Sequence, residues 1–394
     1  MKICILSVDF YPNTGGIARY GLELARALIR RGNNVSAITR RHGSDTPKNE
    51  QVSGINIYRA RYRRWKIIGV LLYVFSSWLK LRSLAKNGVD VSHALIWLPD
   101  GLVSLLGLKF LSIPYYVTIH AAEIVLNSRG IKGAILKQLM RMILSNARAI
   151  IAVSDFTRDK IRNYGINVDR IVVIPNGTDP FKFNTNMDYA EIITKHNLSG
   201  KRVILTTGRL VERKGHDMVI KAIPQVIQKI PNAIYLIVGG GEELSRLKEL
   251  VSNLRIQQHV IFTGFVSEEE LPKYYNACDV FIMPSREITS KGDAEGFGIV
   301  YLEANACGKP VIGGRSGGIS SAIVEGVTGL LVNPLNVEEI SNSLVQLLHD
   351  KDLALKLGNN GRCRVEEELN WDSIASKINK EYLRVSANKD NSSL

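Results

Sequence analysis

Short, almost continuously apolar runs alternate along the chain with segments whose apolar positions recur every three to four residues. In the first half the apolar runs fall at 2–8, 34–40, 56–60, 91–95, 114–120, 149–154 and 172–177. Between them, RYGLELARALIRRG (19–32) and KGAILKQLMRMILSNA (132–147) carry helical spacing. Strands rich in β-branched residues and lacking polar alternation predict a parallel sheet with helices on both faces. After the polar stretch 177–192 the alternation restarts, with runs at 202–209, 233–241, 259–265, 279–285, 309–314 and 329–332. The pattern predicts an α/β chain of two doubly wound halves, 1–178 and 179–370. A last helix over 371–387 ends in a polar tail.

Length agrees with that division, because 394 residues exceed one ordinary domain. Four scattered cysteines, Cys4, Cys278, Cys307 and Cys363, make no metal-ligand or disulfide spacing and suit a reducing compartment. The opening run MKICILSVDF reads as a buried first strand rather than a leader. The apolar run 67–79 falls short of the roughly 20 residues that cross a bilayer, which predicts a cytoplasmic protein. Charge sharpens this picture. Residues 1–175 hold 26 Lys/Arg against 10 Asp/Glu, a net +16, whereas residues 176–394 hold 25 against 27. A polyanionic partner, membrane surface or nucleic acid, is expected of the first half alone.

Ligands of open α/β sheets bind beyond the carboxyl ends of the strands, so the candidate chemistry is sought there. Gly15 and Gly16 follow the first strand and open a helix, where backbone can approach a phosphate closely. Gly208 and Arg209 end a strand, and Lys214 lies on the next loop; a fork-shaped and a point cation together suit a diphosphate. VGGGEE (238–243) reads as a turn that needs glycine conformations. His120 ends an apolar strand, with Glu123 three residues on, and is structural, an acid/base or a hydrogen-bond partner to a sugar hydroxyl. In EGFGIVYLE, Glu295 and Glu303 are eight residues apart, at most about 12 Å along a helix. Glycoside hydrolases hold their two carboxyls about 5–9.5 Å apart, so this pair is poorly placed for hydrolysis. Gly296 and Gly298 between them suit an anionic or hydroxyl-rich ligand. Neither Lys214 nor Glu295 is expected in the core.

Taken together, Gly15-Gly16-Ile17, His120, Pro175-Asn176-Gly177, Gly208-Arg209 with Lys214, and Glu295-x7-Glu303 resemble the retaining family-4 glycosyltransferases of the GT-B fold. The likeness runs over essentially the whole chain and is densest from 203 to 333. The loop 285–314 is most similar to the phosphatidylinositol-mannoside mannosyltransferase branch, which uses GDP-mannose. The resemblance implies two Rossmann-like domains facing across a cleft, with the helix 371–387 packing back on the first. Arg209 and Lys214 would then neutralise the departing diphosphate in place of a metal, so that no metal and no cofactor beyond the nucleotide sugar is expected. Glu295, with the amides around Gly296, Phe297, Gly298 and Ile299, would meet the donor sugar, and Glu303 the ribose. Gly16 would approach the same phosphates, and His120 would sit by sugar and acceptor.

The family often has a Pro-Glu pair after Gly317-Gly318, where this chain has Ser320-Ser321. The acceptor implied is a lipid-linked or glycan molecule bound by the first half, as in O-antigen, lipopolysaccharide or other envelope polysaccharide synthesis. Cations at both ends of the apolar segment 59–86 suit a peripheral position on the inner membrane face, though a buried core helix with basic flanks reads equally from the sequence. A transferase using UDP-glucose or UDP-N-acetylglucosamine, a nucleotide-sugar epimerase and a glycosidic-bond phosphorylase are the competing enzymes. No recognition helix or aromatic platform supports nucleic acid as the partner.

Overall fold

The computed structural model describes residues 1–13, 15–43, 46–62, 66–121, 124 and 130–390. Glu123, residues 63–65 of the basic segment and the tail 391–394 lie outside them. The chain divides into two units, residues 1–176 with 371–394, and residues 177–370. The division falls at Asn176/Gly177, two residues before the boundary placed on the pattern.

The first unit is built on an eight-stranded sheet. Its strands are β1 (Lys2–Leu6), β2 (Asn34–Arg40), β3 (Asn49–Val52) and β4 (Ile55–Ala60). These are followed by β5 (Val91–Ala94), β6 (Tyr115–Ile119), β7 (Ala149–Ala152) and β8 (Ile171–Val173). The spatial order is β3-β4-β2-β1-β5-β6-β7-β8, parallel except for β3, which pairs antiparallel with β4. The pattern missed β3 because NEQV is polar and lies at the sheet edge, where nothing demands an apolar face. Helices α1 (Gly16–Arg30), α2 (Lys66–Ala85), α3 (Asp100–Leu111), α4 (Gly130–Asn146) and α5 (Asp155–Arg162) connect the strands.

The second unit carries α6 (Ala190–Lys195) and a six-stranded parallel sheet. Its strands are β9 (Arg202–Thr207), β10 (Ala233–Val238), β11 (Val260–Gly264), β12 (Val280–Met283), β13 (Val311–Gly314) and β14 (Gly329–Val332). They lie in the order β11-β10-β9-β12-β13-β14. Between them run α7 (His216–Lys229), α8 (Leu244–Asn253), α9 (Leu271–Ala277), α10 (Ile299–Ala306) and α11 (Ile319–Ala322). Two further helices, α12 (Val337–His349) and α13 (Lys351–Glu367), complete it. The inner strands bury both faces, as in β10 and β12, where every residue is buried, so these runs are apolar throughout rather than alternating.

The last helix, α14 (Trp371–Asp390), belongs to the first unit. Trp371 meets the Tyr20 ring edge-on, and the Tyr382 hydroxyl lies 2.5 Å from His93 Nδ1. Burial of Ile374, Ile378 and Tyr382 at four-residue spacing gives this helix its inward face.

Candidate functional site

In the second sheet β9, β10 and β11 wind one way and β12, β13 and β14 the other, so the direction reverses between β9 and β12. Loops leaving the carboxyl ends of neighbouring strands diverge at such a point and leave a crevice. The loops that do so here are 208–215 and 284–298, which contain every cation and carboxylate singled out in this half except Glu303.

Glycines set the first loop. Gly208 has φ +142° and Gly239 φ +133°. A Cβ on Gly239 would stand 1.9 Å from the Gly208 carbonyl oxygen, and one on Gly241 2.3 Å from that of Leu210. Leu210 donates to the Gly240 carbonyl at 3.0 Å, and Gly208 to that of Val238 at 2.9 Å. The triple glycine therefore lets the loop after β10 run against 208–210 and hold it. Arg209, on that loop, is exposed, and its side chain makes no hydrogen bond or ion pair among the described residues. A short helical turn, Glu212–Lys214, follows and ends at Gly215, φ +77°, where a Cβ would stand 2.3 Å from the Pro284 carbonyl oxygen. That contact joins the β9 loop to the β12 loop.

Lys214 and Arg213 both reach the same oxygen, Glu295 Oε2, at 2.6 Å each. Arg213 also pairs with Asp293 at 3.0 Å. Gly317 and Gly318 fix the backbone of Glu295 from behind: the Gly318 amide donates to its carbonyl at 2.8 Å, and a Cβ on Gly317 would stand 2.5 Å from that oxygen. The side chains of Lys214 and Glu295 are only 11 % and 15 % exposed. Neither is a core residue, but they are less exposed than surface charges, because a cation and a carboxylate tolerate lower dielectric as a pair.

Burial alone would raise the Glu295 pKa, but Lys214 and then Arg213 outweigh it and hold the carboxyl at about 2. Burial lowers that of Lys214, with Glu295 opposing. Because the folded Glu295 pKa is depressed, its stabilisation is complete above the ordinary value of 4.5 and is lost as pH falls through about 2. The difference is on the order of 3 kcal/mol. The stability gap between wild type and Glu295→Gln is therefore widest above pH 4.5 and narrows towards pH 2, which denaturant unfolding at several pH values measures. A gap independent of pH would contradict the ion cluster.

The helix α10 begins at Ile299, after Gly298 with φ +91°. A Cβ on Gly298 would stand 2.4 Å from the Tyr301 ring, so the turn that starts the helix admits only glycine. Gly296 and Phe297 are buried beside it. Glu303 is 1 % exposed and accepts a hydrogen bond from the Tyr275 hydroxyl at 2.6 Å. That hydroxyl also lies 2.6 Å from Thr207 Oγ1, at the end of β9. The two glutamates thus have different partners and do not form a catalytic pair.

Three residues of this region escaped the reading of the sequence. Arg213 is next to Lys214 in the chain, and only the short helical turn aims both at one carboxylate. His216 is 2 % exposed, with neither ring nitrogen hydrogen-bonded among the described residues. Burial first, then Lys214, push its pKa down to about 3, so the ring is neutral. Arg286 holds Asp217 through two hydrogen bonds of 2.9 and 3.1 Å, at the start of α7. Three cations within a few residues, Arg209, Arg213 and Lys214, were the available signal for the first.

Gly15, Gly16 and His120 belong to the first unit. Gly15 caps α1 and Gly16 begins it, and a Cβ on Gly16 would meet nothing within 4 Å. His120 follows β6 and packs edge-on against Tyr20 of α1, their ring centres 4.8 Å apart. Burial pushes its pKa down to about 4, so at neutral pH the ring exchanges hydrogen bonds without carrying charge.

Comparison with known proteins places these features. Residues 14–181 match the model of Glycosyltransferase Family 4, and residues 188–364 that of Glycosyl transferases group 1. An uncharacterized glycosyltransferase of Methanocaldococcus jannaschii is 30 % identical over 397 aligned residues, covering 96 % of each chain. The chain belongs to glycosyltransferase family 4. A GDP-mannose-dependent alpha-(1-6)-phosphatidylinositol monomannoside mannosyltransferase of Mycobacterium tuberculosis is 34 % identical to this family member over 243 residues. That match spans 61 % of the chain and 63 % of the relative, less than two thirds of its length. Among solved structures, a sucrose-phosphate synthase from Thermosynechococcus elongatus superposes with TM-score 0.83 and 27 % identity, over 98 % of this chain and 99 % of that one. The architecture is GT-B, with two Rossmann-like parallel sheets.

Proposed function

We propose that the chain transfers a hexose, with retention and without a metal, from a nucleoside-diphosphate sugar to a lipid-linked or glycan acceptor, and that the donor is GDP-mannose. The observation that carries the reading is the cation pair Lys214 and Arg213 gathered on Glu295 where the second sheet reverses direction, with exposed Arg209 beside it. Lys214 has three N–H donors and gives one to Glu295, which leaves two for the oxygens of a diphosphate. Fixed cations stabilise the charge that grows on a leaving phosphate, and a partly buried setting strengthens them. Glu295 suits a binding role better than a covalent one. With a pKa near 2 it has no proton to donate at neutral pH, and two cations on its Oε2 draw charge from the carboxylate and weaken it as a nucleophile.

In the step proposed, the bond between the anomeric carbon and the phosphate oxygen breaks while the acceptor oxygen bonds to that carbon from the same face. The acceptor proton passes to the leaving phosphate oxygen, so no protein nucleophile takes part. Glu295 orients the sugar hydroxyls, Glu303 with Tyr275 shapes the ribose side, and neutral His120 hydrogen-bonds sugar or acceptor. The Mycobacterium tuberculosis relative, named as GDP-mannose-dependent, supports that donor. Thermal unfolding with GDP-mannose, UDP-glucose and UDP-N-acetylglucosamine tests the reading. GDP-mannose is expected to stabilise the protein most, and stabilisation by none of the three would overturn it.

A further inference from the structure

We infer that the outward face of α2, extended by Phe110 of α3, docks flat on an anionic lipid bilayer. The helix is two-faced. Gly69, Tyr73, Ser77 and Leu81, four residues apart, are buried against the sheet and α3. Tyr73 donates to Asp100 at 2.7 Å, and a Cβ on Gly107 would stand 2.8 Å from the Leu81 side chain, so α2 and α3 are closely packed. The opposite face carries Ile68, Leu71, Leu72, Phe75 and Leu79, between 36 % and 61 % exposed, a stripe at three- and four-residue spacing. Phe110, 67 % exposed, continues the stripe, because Trp78 touches both Phe75 and Phe110 with ring centres 6.5 and 6.1 Å apart. A monomeric soluble protein seldom leaves such a contiguous apolar surface uncovered.

Charge identifies the occupant. From Gln51 to Val89 the chain has eight Lys/Arg and no Asp or Glu. Arg61, Arg82, Lys86 and Lys109 are exposed around the stripe, and the Arg82 guanidinium lies over the Trp78 ring at 5.8 Å. An apolar stripe containing Trp and Phe and flanked by exposed cations fits acyl chains below and anionic headgroups around it. The helix is longer than the apolar run suggests, and its segment 68–85 is long and apolar enough to cross a membrane. Crossing would strip Tyr73 and Leu81 from the core and expose the Tyr73–Asp100 hydrogen bond to hydrocarbon, so the helix lies on the bilayer rather than through it. Of the two alternatives for 59–86, the core helix describes the buried face of α2, and the lipid surface is the role inferred for its exposed face.

The lipid surface is independent of the donor chemistry proposed above, and vesicle flotation without any nucleotide sugar tests it alone. The protein is expected to float with vesicles of mixed phosphatidylglycerol and phosphatidylcholine at low salt. Binding should fall by about tenfold or more on phosphatidylcholine alone or in concentrated salt. The double variant Leu71→Glu/Phe75→Glu should lose vesicle binding while keeping its circular dichroism and its thermal shift with nucleotide. Absence of flotation, or equal flotation of wild type and double variant, would overturn the inference. So would a dimer in light scattering that the variant dissociates while neither protein binds vesicles, since a second copy would then be the occupant.

Discussion

Replacing Lys214 with alanine lowers the turnover of sugar transfer by about 10²–10³-fold. The figure follows from the proposed role, because a fixed cation beside a developing oxyanion is worth about 3–4 kcal/mol to the transition state. Alanine also removes a partner from largely buried Glu295, which keeps only Arg213, so some loss of stability accompanies the loss of rate. Lys214→Met separates the two effects. It retains the volume of the stem and removes the charge, so turnover should fall as far while the unfolding temperature drops less. Initial rates at saturating donor decide the matter, and near-normal turnover in both variants would remove Lys214 from the site.

The Gly239→Ala substitution should cost about 3–5 kcal/mol of stability and lower the unfolding temperature by roughly 10 °C. Exchanging Gly for Ala often stabilises a chain by about 0.4–1 kcal/mol, through the unfolded state. Here the sign reverses for two reasons. The backbone at Gly239 has φ +133°, and the added methyl group would lie 1.9 Å from the Gly208 carbonyl oxygen. Relief requires the loop 208–210 to move, and that loop carries Arg209, so donor affinity should fall together with stability. Thermal unfolding by circular dichroism measures the first effect. An unchanged transition would contradict the packing described between the two loops.

Much of this arrangement was legible in the sequence, for reasons particular to each element. Buried parallel strands need apolar residues on both faces, so runs such as AIYLIV stand out, and polar NEQV at the sheet edge does not. Glycines with forced conformations mark the loops at 208, 239 and 298 in the sequence itself. What sequence spacing withholds is partnership. Nothing in VERKGHD says that Arg213 and Lys214 share one oxygen of a glutamate some eighty residues away, nor that Glu303 hydrogen-bonds to Tyr275. The likeness to a family supplied roles for Lys214 and Glu295, but their mutual burial emerged only from the fold. For α2, composition suited either a core helix or a lipid surface, and only the fold showed that one face is buried while the other exposes an apolar stripe.

Transfer of labelled sugar tests the donor chemistry most directly. Purified protein is incubated with GDP-mannose labelled in the mannose, in the presence of a membrane-lipid extract as the source of acceptors. UDP-glucose and UDP-N-acetylglucosamine labelled in their sugars run alongside. The label of GDP-mannose is predicted to enter the lipid or glycan fraction with release of one GDP for each sugar moved, and Lys214→Ala should abolish nearly all of it. Folded wild-type protein that moves label from none of the three donors into any acceptor would contradict the account.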